Sequence, residues 1–78
     1  MLIETYSIGE TVKMTGVSGQ QLRNWERRKY IPELDRIVYG DVAYRRFTTE
    51  QIRLIKEIKK YLDDGYTLSA AAQKARRK

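Results

Sequence analysis

The sequence predicts a small, mainly α domain that holds about four helices and one two-stranded β-hairpin. Serine or threonine followed three residues later by glutamate or glutamine, a pattern typical of helix starts, occurs at three places. After the second predicted helix the hydrophobic pattern changes from a helical period to strand-like alternation. The chain has 78 residues, enough for a single small core, so we expect one domain over residues 1–78.

The composition favours a binding protein with a polyanionic partner. Sixteen lysines and arginines against ten acidic residues give a net charge of +6, which suits nucleic acid or an acidic membrane surface. The chain has no cysteine and no histidine, so the commonest metal ligands and the commonest general base are missing. We expect no catalytic residues, no metal and no cofactor. Because no signal peptide or membrane-spanning run is evident, we expect a cytoplasmic protein that does not bind membranes.

The first helix is predicted from Ile8 to about Met14. Ser7 and Glu10 form the start pattern, with Ile8 and Val12 on the inner face. The apolar first six residues either pair as a short strand or simply pack against the body. The run Thr15-Gly16-Val17 breaks the helix.

The second helix is predicted over about 18–28, with Ser18 and Gln21 as its start pattern. Two capped helices joined by a three-residue turn that contains glycine are typical of a helix-turn-helix unit. A generic pair of antiparallel helices has the same outline. The side chains of the second helix therefore decide between the two.

Leu22 and Trp25 form the apolar side of this helix, and a second face is polar. That face follows the spacing i, i+3, i+4, i+7 and consists of Gln20, Arg23, Asn24 and Arg27. Arginine neutralises phosphates, and glutamine or asparagine pairs with an adenine edge in the major groove. We interpret the segment as a candidate DNA recognition helix; the alternative is an ordinary solvated polar face.

The second helix is expected to end at Tyr30-Ile31-Pro32, because proline disfavours helix at the residue before it. Two β runs, 37–39 and 42–47, then flank a Gly40-Asp41 turn. Strand alternation points one of Arg45 and Arg46 away from the body, so the hairpin over about 37–47 has the character of a wing. The alternative is a plain hairpin with solvated charges. The candidate DNA-binding residues are Ser18, Gln20, Arg23, Asn24, Arg27, Tyr44, Arg45 and Arg46.

Two further helices complete the prediction of a winged helix-turn-helix. Thr48 and Gln51 begin the third helix, which ends at Asp63-Asp64-Gly65. Its apolar stripe makes it the main support of the core, and the stripe consists of Ile52, Ile55, Ile58 and Leu62. Thr67 begins the last helix, which runs from Leu68 to about Arg77.

From residue 6 to about residue 75 the sequence resembles the DNA-binding domain of the MerR family of bacterial transcription regulators. Five segments carry the resemblance in order. They are Tyr6-Ser7-Ile8-Gly9-Glu10, Thr15-Gly16-Val17-Ser18, Leu22-Arg23-Asn24-Trp25-Glu26, Tyr44-Arg45-Arg46-Phe47-Thr48 and Asp64-Gly65-Tyr66-Thr67-Leu68. The Trp25-Glu26-Arg27-Arg28 variant is most similar to the branch that includes light- and cobalamin-responsive repressors.

The resemblance implies that the second helix enters the major groove and that the wing grips the flanking backbone or minor groove. Arg23 would contact phosphate or base, and Arg45 would be the wing arginine with Tyr44 and Arg46 beside it. Asn24 departs from the aromatic residue that many members have. The implied function is sequence-specific binding of double-stranded DNA in transcription regulation, as repressor or activator, without enzymatic activity. The alternative is an excisionase-like architectural DNA-binding factor.

Full members of the family are dimers joined by a long coiled coil, with an effector domain beyond it. Neither a coiled coil nor an effector domain follows within these 78 residues. We therefore expect this chain to be a monomer in solution. Dimers would form on DNA or through a missing C-terminal segment.

Overall fold

The computed structural model describes residues 4–77, which form four helices and three strands. In chain order these are β1 (Thr5–Tyr6), α1 (Ile8–Thr15), α2 (Gly19–Arg27), β2 (Asp35–Tyr39), β3 (Val42–Thr48), α3 (Thr49–Asp63) and α4 (Leu68–Arg76). The prediction of a mainly α domain with four helices and a hairpin is confirmed. One strand is added to the predicted hairpin, because β1 pairs with β3; residues 1–3 of the apolar lead-in lie outside the described residues.

The three predicted helix starts are confirmed as capping boxes. In the first box the Ser7 hydroxyl accepts from the Glu10 backbone N–H at 3.1 Å, and the Glu10 carboxylate accepts from the Ser7 backbone N–H at 2.8 Å. Ser18 with Gln21 and Thr48 with Gln51 form the same reciprocal pair. Each box satisfies two backbone groups at its helix end, so α1, α2 and α3 begin where the sequence places them.

The second helix ends within its predicted bounds of about 18–28, but Pro32 does not end it as predicted. α2 stops at Arg27, before the Tyr30-Ile31-Pro32 segment, and Lys29 adopts a left-handed conformation with φ of 64°. The Tyr30 backbone N–H then donates to the Trp25 carbonyl at 2.9 Å, which closes the helix end in a Schellman arrangement. The chain therefore reverses at a lysine, in a position that glycine usually occupies, and Pro32 is not needed to stop the helix.

The sheet has the order β1-β3-β2 with antiparallel pairing throughout. The hairpin register runs from Asp35 opposite Arg46 to Tyr39 opposite Val42, around the predicted Gly40-Asp41 turn. Gly40 has φ of 57°, a left-handed value that two-residue hairpin turns favour. β3 passes directly into α3, so the hairpin extends from the body on the strand that leads into the core helix.

The core lies between α3 and the inner sides of the other helices. Its buried apolar residues are Val17, Leu22, Trp25, Ile31, Leu34, Phe47, Ile52, Ile55, Ile58, Ala71, Ala72 and Ala75. In α1 the buried positions are Thr11 and Thr15, whereas Ile8 and Val12 pack against the core only half-buried. Each threonine hydroxyl donates to the carbonyl four residues earlier at 2.8 Å, so burial leaves neither hydroxyl unpaired. Among residues 4–77, no helix combines the length and apolarity that crossing a bilayer requires.

Candidate nucleic-acid interface

One groove separates α2 from the hairpin, and we call it the helix–wing groove. It encloses about 930 Å³. Its lining residues are Gln20, Arg23, Asn24, Glu26, Arg27, Lys29, Ile31, Pro32, Glu33, Arg36, Arg45 and Arg76. Six of these side chains are cationic and two are acidic, so the groove carries a net positive charge. Such a concave basic surface attracts a polyanion.

Four predicted residues of α2 line this groove together. Leu22 and Trp25 are buried beneath them, as the helical spacing predicted, and the opposite side of the helix faces outwards. The four polar residues in the groove are Gln20, Arg23, Asn24 and Arg27. Ser18 lies outside the groove: its hydroxyl accepts from the Gln21 backbone N–H at 3.1 Å and is within 3.2 Å of the Gln21 side-chain oxygen. Ser18 therefore serves the helix start.

Asn24 and Arg27 are joined to each other. An Arg27 Nη2 N–H donates to Asn24 Oδ1 at 2.7 Å, across one turn of α2. Pairing with an adenine edge requires both the oxygen and the N–H₂ group of an asparagine amide. In this arrangement one lone pair of the oxygen accepts from Arg27, so Asn24 orients the arginine and keeps its N–H₂ group and a second lone pair for another partner.

The two arginines of β3 are both anchored, in contrast to the prediction that one of them points away from the body. Arg45 Nε donates to Glu26 Oε1 at 2.8 Å. Arg46 Nε and Nη2 donate to the hydroxyl and the carbonyl of Thr5 at 3.1 and 2.9 Å. β1 supplies the partner of Arg46, and the sequence left open whether that segment forms a strand.

Alternation along β3 separates the predicted wing residues between two faces. Arg45 lies on the face towards α2 and lines the helix–wing groove. Tyr44 and Arg46 lie on the other face, beside a smaller depression of about 560 Å³ that Ser7, Ile37 and Tyr39 complete. Tyr44 is 53% exposed, and its ring meets Tyr39 edge to face with 6.3 Å between centroids. The structure therefore brings five of the eight predicted residues into one groove.

Glu26 is the central residue that the sequence prediction missed. Its side chain is 8% exposed. Oε1 accepts from Arg45 Nε at 2.8 Å and from Arg36 Nη2 at 2.9 Å, while Oε2 accepts from the Leu34 backbone N–H at 2.8 Å. Its position four residues after Leu22 puts a carboxylate at the edge of a buried face, a signal that calls for a cationic partner.

These contacts determine the ionisation of Glu26. Burial by itself would raise the pKa of this carboxyl, because it penalises the charged form. The hydrogen bonds from Arg45, the Leu34 backbone and Arg36 favour the charged form more strongly, so the pKa lies below its ordinary value. Glu26 is therefore a carboxylate at neutral pH and remains a partner for both arginines.

Arg76 of α4 is a second residue that the sequence did not assign to this surface. Its Nη2 donates to the backbone carbonyl of Lys29, directly after α2. The contact joins residues 47 positions apart and adds a cation to the helix–wing groove. A positive charge at the carboxyl end of a helix also suits the helix dipole.

Comparison with known proteins finds relatives among proteins that are described as regulators. The HTH-type transcriptional repressor CarH of Myxococcus xanthus is 32% identical over 73 residues, which are 94% of this chain and 23% of that protein. HiNmlR, a MerR family regulator lacking the sensor domain and solved bound to promoter DNA, superposes with a TM-score of 0.76 at 23% identity. That match covers 94% of this chain and 53% of the other.

A transcriptional regulator of the MerR family from Bacillus cereus has the same fold, with a TM-score of 0.71 at 17% identity over 90% of this chain and 50% of the other. The chain spans between about a quarter and about half of the length of these relatives. The sequence profile described as MerR HTH family regulatory protein matches residues 6–78. The chain belongs to the MerR HTH family of regulatory proteins.

Proposed function

We propose that this domain binds double-stranded DNA sequence-specifically, as part of a bacterial transcription regulator. The recognition helix, about 18–28, enters the major groove, and the wing, about 37–47, contacts the flanking backbone or minor groove. One observation carries the proposal: the exposed polar face of α2 and the wing residue Arg45 line the same cationic groove. A duplex can therefore contact both elements at once.

The residues divide by the kind of contact that their positions favour. Gln20 and Arg23 lie on the outer face of α2 and read base edges or grip phosphate. Arg27, held by Asn24, binds phosphate as an oriented cation. Arg45 supplies the wing contact from the groove, while Tyr44 and Arg46 meet the backbone from the other face of the hairpin.

Transcription regulation is favoured over the excisionase-like alternative because the relatives are described as transcription regulators. CarH is described as a repressor, so repression is the first activity to test for this chain. The domain acts through binding and carries no catalytic role, in the cytoplasm where bacterial DNA lies. One copy occupies a half-site weakly as a monomer, and two copies assemble on DNA or through a segment beyond this one.

Salt dependence of DNA affinity tests the proposal. One phosphate can be neutralised by each of four arginines, Arg23, Arg27, Arg45 and Arg46. The slope of log affinity against log salt concentration is then about −3.6, so a fourfold rise in salt concentration weakens binding about 150-fold. Arg27→Ala should make the slope shallower by about 0.9. Arg53→Ala removes an exposed cation of α3 outside the helix–wing groove and serves as the matched control.

The expected result is steep salt dependence for the unaltered domain and the control, with a reduced slope for Arg27→Ala. No duplex binding at low salt, or a flat response, would refute the proposal. Selection of binding sites from random DNA then supplies the recognised sequence. Sedimentation at several protein concentrations measures whether the free chain is a monomer.

A further inference from the structure

The two elements that form the helix–wing groove are joined by a single carboxylate. Glu26 belongs to α2, and Arg36 and Arg45 belong to β2 and β3. Both arginines donate to Glu26 Oε1, at 2.9 and 2.8 Å, while Oε2 accepts from the Leu34 backbone N–H at 2.8 Å. Glu26 therefore connects α2 with Leu34, the residue directly before β2, and with both strands of the hairpin.

Apolar packing does little to fix the hairpin at this angle. Every residue of β2 is exposed, and Phe47 is the buried residue of β3. Beyond Phe47 hydrogen bonds tie the hairpin to the body on both faces: those of the Glu26 cluster on one face and the Arg46–Thr5 bonds on the other. Because hydrogen bonds are directional, the Glu26 carboxylate fixes the position of the Arg45 guanidinium relative to α2.

The anchoring leaves Arg45 able to bind an anion. A guanidinium carries five N–H donors in a planar fork, and Glu26 takes the one at Nε. Among residues 4–77 no other acceptor is bonded to Arg45, so the four N–H groups on its two Nη atoms remain for phosphate. The side chain is 27% exposed and lines the groove. Two arginines around one carboxylate also leave this cluster with a net positive charge.

We propose that Glu26 is a positioning residue for DNA binding, because its carboxylate holds the Arg45 guanidinium at a fixed place beside the recognition helix. The inference rests on the proposed function. Pre-organisation of this kind raises affinity by removing the cost of ordering a long side chain during binding. Glu26 itself makes no contact with DNA and acts through Arg45.

Glu26→Gln separates positioning from simple electrostatics. The substitution keeps the size of the side chain, loses the charge-assisted bonds and makes the domain one charge more positive. Added positive charge alone should strengthen binding to DNA. Loss of a positioned arginine contact should instead weaken it about tenfold. Glu50→Gln makes the same charge change at an exposed site in α3, outside the groove, and should bind as well as the unaltered domain or slightly tighter.

The experiment is a double-mutant cycle on duplex affinity with Glu26→Gln, Arg45→Ala and the combined variant. Circular dichroism accompanies it to measure the folded fraction. We expect each single variant to bind about tenfold more weakly and the combined variant no more weakly than Arg45→Ala. A purely structural role would make Glu26→Gln cost the same factor in both backgrounds, and that result would overturn the inference. Unchanged affinity in Glu26→Gln would overturn it as well.

Arg45→Lys provides the test should Glu26→Gln fail to fold. Lysine keeps the positive charge but lacks the Nε donor and the planar fork. We expect weaker duplex binding despite the unchanged charge, whereas affinity equal to that of the unaltered domain would contradict a positioned guanidinium. If the unaltered domain itself binds no duplex at low salt, the proposed function fails instead.

Discussion

Trp25→Ala should destabilise the domain strongly, because Trp25 is 2% exposed and lies within the core. A buried aromatic side chain removes about 150–250 Å² from water, equivalent to about 4–6 kcal/mol at 25 cal/mol per Å². The alanine methyl group retains a small part of this, which leaves about 3–5 kcal/mol, in line with measured aromatic-to-alanine substitutions. A domain of this size has a total stability of about 4–12 kcal/mol, so the loss is a large share of it.

Thermal unfolding followed by circular dichroism measures this effect. At about 4–8 °C per kcal/mol, a loss of 3 kcal/mol lowers the midpoint by about 12–24 °C. Tyr39→Ala provides the control: this ring is 71% exposed and meets Tyr44, so we expect a loss of about 1 kcal/mol or less.

DNA affinity of Trp25→Ala, corrected for the folded fraction, should equal that of the unaltered domain. An indole with almost no exposed surface cannot also contact DNA. An unchanged melting temperature together with lost DNA binding would refute it, since Trp25 would then be a contact residue and not part of the core.

Two further predictions concern local features. The pKa of Glu26 is lowered in the folded chain, so its stabilising contribution is complete above its ordinary value of 4.5 and disappears as pH falls through the lower folded value. Melting temperatures between pH 7 and pH 3 should fall at the acid end, and Glu26→Gln should reduce that fall; an identical fall in both proteins would contradict the assignment. Lys29→Gly should stabilise the domain by about 0.5 kcal/mol, because glycine removes the left-handed strain while adding freedom to the unfolded chain. Gly65 has φ of 100°, so Gly65→Ala should destabilise the domain by about 1 kcal/mol. Denaturant titration measures the free energy of unfolding of both variants. A change in the same direction for both would exclude backbone strain as the cause.

The helix starts and the hairpin turn were predictable because their determinants are local. A capping box needs only four consecutive residues, and the two residues Gly40-Asp41 by themselves indicate a turn. The core stripe of α3 was predictable for a similar reason, since the helical period alone brings Ile52, Ile55 and Ile58 to one side.

The missed features depend on partners that are distant in the sequence. Glu26 meets Arg45 across 19 residues, and Arg76 reaches the Lys29 carbonyl across 47, distances over which no sequence period indicates contact. The left-handed position after α2 is occupied by Lys29, so no glycine indicates it in the sequence. The Asn24–Arg27 bond is different, because its three-residue spacing on a helix was visible in the sequence.

Because β3 continues directly into α3, a rotation of α3 would swing the hairpin about the buried Phe47. From Phe47 to the turn at Asp41 the strand extends about 20 Å, at about 3.4 Å per residue. A rotation of α3 by about 10° that carried the strand with it would therefore move the tip by about 3.5 Å, roughly the rise of one base pair along a duplex strand. The angle between β3 and α3 therefore sets how far the wing tip lies from α2, and the Glu26–Arg45 and Arg46–Thr5 bonds hold that angle.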